Sequence, residues 1–101
     1  MNKEVEIFQN YNNINKDYDI TKNKSVKFLT IYEKTAVIGL RKQQLANGAN
    51  TYLTDNESSN VKSIEDIVNL ELKYNKIPFM LCRTYSNGIK EYWKLEDLII
   101  I

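Results

Sequence analysis

The residue types that most often carry chemistry are scarce in this chain of 101 residues, which has no histidine and one cysteine, Cys82. Without a histidine, the chain lacks the usual base that activates a serine or cysteine nucleophile, and it lacks the Cys/His ligand sets of zinc sites. A disulfide within the chain is excluded because that bond needs two cysteines. Cys82 stands in an apolar run, so we expect an inert, buried thiol.

Neighbouring carboxylates occur twice, at Glu65 and Asp66 and again at Glu96 and Asp97. Adjacent side chains on a helix do not face each other, so neither pair converges on one metal ion or one substrate atom. The three glycines stand far apart, so no glycine-rich loop is present to hold a phosphate. We therefore predict no catalytic, metal-binding or cofactor-binding residues and no cofactor, with a small enzyme kept as an alternative that activity of the isolated chain would revive.

The composition is that of an ordinary globular domain, with 43% hydrophobic and 27% charged residues and a net charge of +1. Such a small net charge gives no general attraction to nucleic acid or to anionic lipid. No apolar run approaches the roughly 18 residues of a membrane helix, and the acidic N-terminal segment does not resemble a signal peptide. We expect an intracellular protein without a membrane partner. The abundance of Asn, Lys and Ile suggests an AT-rich genome.

Residues 1–21 carry scattered acids and show no sustained periodicity, which predicts a flexible, mildly acidic tail ahead of a folded domain at 22–101. Docking of the tail's few apolar residues on a partner is the alternative. The segment 22–27 is basic, and it is either a solvated linker or a phosphate-binding segment.

The rest of the chain predicts an α+β fold, a small helical core followed by a C-terminal β-hairpin. Thr30 and Glu33 have the spacing of a capping box, and Gly48 suits the end of a helix. Ser63 is a good N-cap for a second helix, and Asn87-Gly88 is a strong hairpin signal. The predicted elements are helices over about 30–47 and 63–75, strands over about 77–85 and 89–94, and a short apolar tail over 95–101 that forms a strand or a brief helix.

The first predicted helix is apolar over more than half of its circumference. Ile31, Ile38 and Leu45 form one stripe, which Tyr32 and Leu40 widen. A helix of this kind must be buried on most of its surface, and so small a domain cannot supply that cover alone. The pattern therefore predicts a protein partner.

Two further residues in the predicted helices are unfavourable unless another group packs or pairs with them. A glycine in mid-helix, Gly39, is about 1 kcal/mol less favourable than alanine, which makes sense where another backbone packs closely, in this chain or in a partner. Glu71 falls on the apolar face of the second helix, where an unpaired carboxylate is unfavourable. An arginine or lysine partner is expected, in this chain or in another.

The predicted hairpin mixes aromatic and basic residues in a way that single-stranded nucleic acid can use for stacking and charge contacts. Packing of the aromatic rings in the core is the competing interpretation. The alternative function is thus a free-standing nucleic-acid-binding or transcription-regulatory module. The residues concerned are Tyr85, Tyr92 and Trp93 with Arg83, Lys90 and Lys94.

The segment 30–49, TIYEKTAVIGLRKQQLANGA, resembles the signature helix of the omega-type small subunits of DNA-directed RNA polymerases: bacterial omega, archaeal subunit K and the eukaryotic sixth common subunit. The shared pattern is Thr-x-Tyr-Glu-Lys, then Gly-x-Arg, then Gln-Leu-Ala. Its residues here are Thr30, Tyr32, Glu33, Lys34, Gly39, Arg41, Gln44, Leu45 and Ala46. The later residues that resemble the family's helix exit, final hairpin and tail are Glu71-Leu72-Lys73, Lys76-Ile77-Pro78, Arg83, Asn87-Gly88, Glu91, Trp93 and Glu96-Asp97-Leu98-Ile99.

This resemblance covers about residues 28–99 and implies a non-catalytic subunit that binds the largest polymerase subunit and promotes its assembly. It implies contact with DNA and RNA only indirectly through the complex, and no homo-oligomer. With the AT-rich bias, it suggests a divergent polymerase, in a nucleus or in the cytoplasm where a virus or a cytoplasmic genetic element transcribes its genes.

A partner interface follows from the resemblance and the surplus apolar surface. We expect the apolar residues of the first helix and the segment 93–99 to contribute most of it, with Glu33 and Arg41 fixing the polar register. The predicted interface residues are Thr30, Ile31, Tyr32, Glu33, Lys34, Ile38, Gly39, Leu40, Arg41, Gln44, Leu45, Ala46, Ile77, Pro78, Arg83, Gly88, Trp93, Leu98 and Ile99.

Overall fold

The computed structural model describes residues 3–8 and 20–100. It confirms the α+β class, with two α-helices and a three-stranded antiparallel sheet. The chain divides into two compact units, which we call the helical unit, Ile31–Ile77, and the sheet unit, the described residues of Met1–Thr30 and Pro78–Ile101. None of the helices in the described residues has the length and apolar composition needed to cross a bilayer.

The helical unit contains α1, Ile31–Ala46, and α2, Ile64–Lys73, both within two residues of their predicted bounds. The last helical residue of α1 is Ala46, and the predicted stop at Gly48 is confirmed, because Gly48 has a left-handed φ of 98°. The N–H of Ala49 donates to the carbonyl of Gln44 at 3.0 Å and closes this helix end. The predicted N-cap of α2 is confirmed, because the Ser63 hydroxyl accepts a hydrogen bond from the N–H of Asp66 at 3.2 Å. Neighbouring residues therefore set the C-terminal end of α1 and the N-terminal end of α2.

The sheet unit contains β1, Lys3–Phe8, β2, Met80–Tyr85, and β3, Lys90–Lys94, with β2 in the middle. The predicted hairpin of β2 and β3 is confirmed. Its turn closes through a hydrogen bond from the N–H of Gly88 to the carbonyl of Tyr85 at 2.9 Å. Gly88 has a φ of 84°, which a residue with a side chain rarely adopts.

Strand β1 lies where the sequence predicted only a flexible tail, so that prediction is wrong for Lys3–Phe8. The strand pairs with β2 and places Val5 opposite Arg83 and Ile7 opposite Leu81. Its alternation of polar and apolar residues spans only four positions, Glu4 to Ile7, too few to stand out without the distant partner strand. Residues 1–2 and 9–19 of the predicted tail lie outside the described residues.

The apolar tail combines the two predicted alternatives. Leu95–Asp97 form a single 3-10 turn. The chain then pairs with an earlier segment, since the N–H of Ile99 donates to the carbonyl of Lys27 at 2.8 Å and the N–H of Leu29 donates to the carbonyl of Ile99 at 2.9 Å. This pairing lies within the sheet unit and holds the segment preceding α1 beside the tail.

Candidate partner-binding surface

The buried face of α1 is formed by Glu33, Val37 and Arg41, which lie one turn apart and are at most 1% exposed. Two of these three side chains are charged. The apolar residues Ile31 and Tyr32 are instead 85% and 73% exposed. The helix thus buries two charged side chains and exposes the two large apolar side chains of its first turn, while its other exposed positions include the polar Thr35 and Gln43.

Arg41 and Glu71 explain how charges are accommodated inside the helical unit. The Arg41 guanidinium donates from Nε to Glu71 Oε1 at 2.7 Å and from Nη2 to Glu71 Oε2 at 2.9 Å, in a two-pronged ion pair. Glu71 also accepts hydrogen bonds from the Thr51 hydroxyl at 3.0 Å and from the N–H of Tyr52 at 2.8 Å. The expected cationic partner of Glu71 is therefore Arg41 of the same chain.

The environment of Glu71 favours its charged form. Burial alone would raise the pKa of this carboxyl. The hydrogen bonds from Arg41, Tyr52 and Thr51 and the positive charge of Arg41 outweigh that effect and hold the pKa below its ordinary value. The pair ties α1, α2 and the segment 50–52 together within the helical unit.

Arg41 has two further hydrogen-bond partners, so that four of its five N–H donors are engaged within the chain. Nη1 donates to the Gln44 side chain at 3.1 Å and Nη2 to the carbonyl of Asn50 at 3.0 Å, while the guanidinium lies 4.4 Å from the centre of the Tyr52 ring. The expected role of Arg41 in fixing the polar register with a partner therefore has no support in the structure, which gives it an internal role. Glu33 is fully buried and occupies the same inner face.

We use "outer face of α1" for the exposed and half-buried predicted residues that lie roughly 80–180° around the helix from the buried Val37. Its members are Ile31, Tyr32, Ile38, Gly39, Leu45 and Ala46. A Cβ atom added at Gly39 would meet no heavy atom of the described chain within 4 Å. Close packing among the described residues therefore does not account for Gly39.

The 19 predicted interface residues divide by burial into three groups. The exposed ones are Ile31, Tyr32, Gly39, Ala46, Gly88 and Ile99. The half-buried ones are Thr30, Lys34, Ile38, Leu40, Gln44, Leu45 and Pro78. The buried ones are Glu33, Arg41, Ile77, Arg83, Trp93 and Leu98. In this conformation the buried six pack within the chain and present no surface to a partner, so we retain only the other two groups.

Arg83 and Trp93, from neighbouring strands of the sheet unit, are both held by the segment that precedes α1. Arg83 Nη1 donates to the Ser25 hydroxyl at 2.9 Å and to the carbonyl of Val26 at 2.7 Å, and Nη2 donates to the carbonyl of Phe28 at 3.0 Å. Trp93 Nε1 also donates to the Ser25 hydroxyl, at 2.9 Å. Both side chains are buried and are not available for stacking or charge contacts with a nucleic acid.

Glu91 completes this arrangement from β3. Its carboxylate accepts hydrogen bonds from the N–H groups of Lys24 at 2.8 Å and Ser25 at 3.0 Å. Burial would raise the pKa of Glu91, but the contacts with Ser25 and Lys24 and the charge of Arg83 lower it below the ordinary value. Sequence analysis missed Ser25 as the shared contact, because a serine in a basic segment gives no sign of its distant partners.

A second exposed apolar group lies in the sheet unit, where Phe28 and Ile99 are paired across the parallel backbone bridge. Both are about half exposed, and so is the nearby Val26. We call these three residues the 26/28/99 patch. Ile99 was predicted as an interface residue; Val26 and Phe28 were not, although their spacing of two residues is typical of one face of an extended segment.

Within residues 3–8 and 20–100, no group of three or more Cys, Asp or Glu side chains could hold a metal ion. The buried charged groups described above form ion pairs and hydrogen bonds within the chain, and the exposed surface is mainly polar with a few large apolar side chains. Comparison with protein-family models gives no match, and comparison with curated proteins gives none either.

Proposed function

We propose that this chain is a non-catalytic small subunit of a multisubunit DNA-directed RNA polymerase, and that it stabilises the largest subunit and promotes assembly. Two arguments support the proposal. One is the resemblance of residues 28–99 to the omega-type subunits. The other is the outer face of α1, whose exposed Ile31 and Tyr32 are the single structural observation on which the proposal depends.

Covering these side chains would be strongly favourable. Burying a large apolar side chain contributes about 1.5–3 kcal/mol, and Ile31 and Tyr32 are mostly in water here. The inner face of α1 is already covered within the helical unit. We propose that a second molecule covers Ile31 and Tyr32. The half-buried Ile38 and Leu45 extend the same face along the helix.

The mechanism we propose is thermodynamic linkage. A small subunit that binds only the folded largest subunit shifts the folding equilibrium of that subunit toward the folded form. Proton transfer, metal binding and nucleotide chemistry stay with the large subunits. The chain acts in the compartment of its polymerase, which is a nucleus or the cytoplasm of a cell that carries a virus or a cytoplasmic genetic element.

The test is a pair of double substitutions with the same residue types. Ile31→Asp with Tyr32→Asp changes the outer face of α1. Ile64→Asp with Tyr74→Asp changes two exposed residues at the ends of α2. Each variant is expressed with an affinity tag in its native host, and the co-purifying proteins are identified and quantified.

The α1 variant should lose the largest polymerase subunit by at least tenfold, while the α2 variant should keep it at full stoichiometry. Circular dichroism of both purified variants checks that they are folded. Retention of the polymerase by a folded α1 variant would contradict the proposed surface, and absence of any polymerase subunit from the unaltered chain would contradict the proposed function.

The alternative of a nucleic-acid-binding module loses part of its basis. It relied on a hairpin surface that included Arg83 and Trp93, and both side chains are buried and hydrogen-bonded within the sheet unit. Loss of affinity for nucleic acid with rising salt remains the test of that alternative.

A further inference from the structure

The sheet unit contains a groove of about 550 Å³ between the segment 22–24 and the turn end of the β2–β3 hairpin. On the hairpin side it is lined by Tyr85, Asn87 and the segment 89–91. We call this the basic groove. Its volume is in the range of sites that hold one small molecule or one nucleotide.

The charge of the basic groove is predominantly positive. Lys22, Lys24 and Lys90 line it, are exposed, and form no ion pair with another described residue. The one carboxylate in the lining, Glu91, is buried and accepts hydrogen bonds from two backbone N–H groups. Three exposed lysines therefore line one opening, and none of them is paired with a carboxylate of the described residues.

The two sides of the groove are held in place by hydrogen bonds. Asn23 Nδ2 donates to the carbonyl of Tyr92 at 2.8 Å, and the N–H of Lys24 donates to Glu91 at 2.8 Å. On the other side the Gly88 turn fixes the loop. The groove is thus formed before any ligand arrives, which reduces the entropy lost on binding.

The groove also offers apolar surface beside its charges. The Tyr85 side chain is half-buried, and Ile89 is exposed. An aromatic ring next to separated cations suits a ligand with flat rings and regularly spaced phosphates. An acidic peptide would match the charges but would have no flat ring for Tyr85.

We infer that the basic groove binds single-stranded nucleic acid, with Lys22, Lys24 and Lys90 contacting phosphates and Tyr85 stacking on a base. The sequence offered the hairpin and the basic segment 22–27 separately, as alternatives for nucleic-acid and phosphate binding. Their convergence in one groove carries the inference. It goes beyond the proposed function, in which nucleic acid reaches this chain only indirectly.

The experiment measures binding of the full chain to fluorescein-labelled oligouridylate and oligothymidylate 12-mers by fluorescence anisotropy between 20 and 200 mM KCl. Three phosphate contacts predict that log K falls with log salt with a slope of about −2. The variant Lys24→Gln/Lys90→Gln should reduce this slope to about −0.7 and weaken binding at least tenfold at 50 mM KCl. Binding of either strand type supports the inference, and their ratio shows whether the ribose hydroxyl contributes.

The matched control is Lys62→Gln/Lys73→Gln, which removes the same charge from exposed lysines of the helical unit. It should leave both slope and affinity nearly unchanged. Tyr85→Leu should weaken binding about fivefold or more without changing the slope, and Tyr85→Phe should retain affinity.

If the Lys24/Lys90 and Lys62/Lys73 double variants weaken oligonucleotide binding equally, the inference is overturned. That result would mean that the oligonucleotide is attracted to any positively charged part of the surface. Binding of an oligoglutamate 12-mer with equal affinity and no effect of Tyr85→Leu would assign the groove to acidic peptides and also overturn it. The Lys24→Gln/Lys90→Gln variant keeps the outer face of α1, so it should still co-purify with polymerase. A basic groove that does not bind nucleic acid is therefore distinguishable from a chain that does not bind the polymerase.

Discussion

Glu71 and Glu65 both form ion pairs in the helical unit, but in different surroundings. Glu71 and its partner Arg41 are at most 1% exposed, whereas Glu65 and Lys42 are 69% and 39% exposed with 3.8 Å between their charged atoms. Removing one member of a buried pair leaves an uncompensated charge and costs about 3–5 kcal/mol. Removing one member of an exposed pair costs about 0–1 kcal/mol.

We therefore expect Glu71→Gln to lower the free energy of unfolding by about 3–5 kcal/mol and Glu65→Gln by less than about 1 kcal/mol. Urea unfolding of the full chain, followed by circular dichroism, measures both. Similar unfolding midpoints for the two variants would contradict the structural role given to Arg41 and Glu71.

Two buried carboxyl groups should make stability sensitive to acid. The pKa values of Glu71 and Glu91 lie below the ordinary value of 4.5 in the folded chain. Between those lowered values and 4.5, the unfolded chain binds more protons than the folded chain, so stability is present above about pH 4.5 and is lost as pH falls through this window.

The urea midpoint should therefore be steady near pH 6 and decline as the pH falls below about 5. In Glu71→Gln this decline should be shallower, since one of the two groups no longer titrates. Midpoints measured at closely spaced pH values give both curves. Parallel curves for the variant and the unaltered chain would exclude Glu71 as a source of the acid sensitivity.

At the residue scale, the sequence shows that a charge needs a partner but not which residue supplies it. The position of Glu71 on an apolar helix face was enough to predict a cation. Its identity was not predictable, because Arg41 lies 30 positions away and its own helix gave it a different expected role. The partners of Ser25 were even harder to predict, since its contacts with Arg83 and Trp93 span 58 and 68 positions of the sequence.

At the scale of elements, the local signals succeeded where the structure depends on neighbouring residues. Ser63, Gly48 and the Asn87-Gly88 turn fix the ends of helices and the hairpin through contacts within a few residues. Strand β1 depends instead on pairing with β2, more than 70 positions later in the chain. A short alternating segment indicates a strand only once its partner is known.

Gly39 gives a prediction that separates the folding of α1 from its binding. A Cβ atom here would contact nothing in the described chain, and alanine favours the helix over glycine by about 1 kcal/mol. Gly39→Ala should therefore raise the free energy of unfolding of the isolated chain by about that amount. The same methyl group lies on the outer face of α1 and should weaken assembly with the polymerase.

Thr35→Ala is the control, because it also places alanine on the exposed side of α1 one turn earlier without filling a glycine position. It should stabilise the isolated chain modestly and leave assembly unchanged. Urea unfolding and quantified co-purification provide the two readouts. A Gly39→Ala chain that assembles as well as the unaltered one would show that no partner backbone approaches Gly39.

At the scale of the whole molecule, the distribution of polar and apolar groups explains what the sequence could and could not show. The surplus of apolar residues on the first helix was visible from periodicity alone, and Ile31 and Tyr32 are indeed exposed. The inward position of Glu33 and Arg41 was not visible, because charged residues are expected at the surface unless a buried partner is known. Large exposed apolar side chains lie at the start of α1 and at the 26/28/99 patch.

An assembly role predicts different effects on the amount of polymerase and on its activity. If this chain binds only the folded largest subunit, free small subunit at 100 times the Kd stabilises the largest subunit by about 2.7 kcal/mol. Deleting or depleting the chain should then lower the yield of assembled polymerase several-fold. The rate of RNA synthesis per assembled enzyme should stay the same, since the proposed role gives no residue of this chain a part in the chemistry. Quantitative immunoblotting of the largest subunit, combined with transcription assays normalised to assembled enzyme, measures the two quantities separately. Equal yields with and without the chain would contradict the assembly role, and a lower rate per assembled enzyme would instead place this chain in the catalytic cycle.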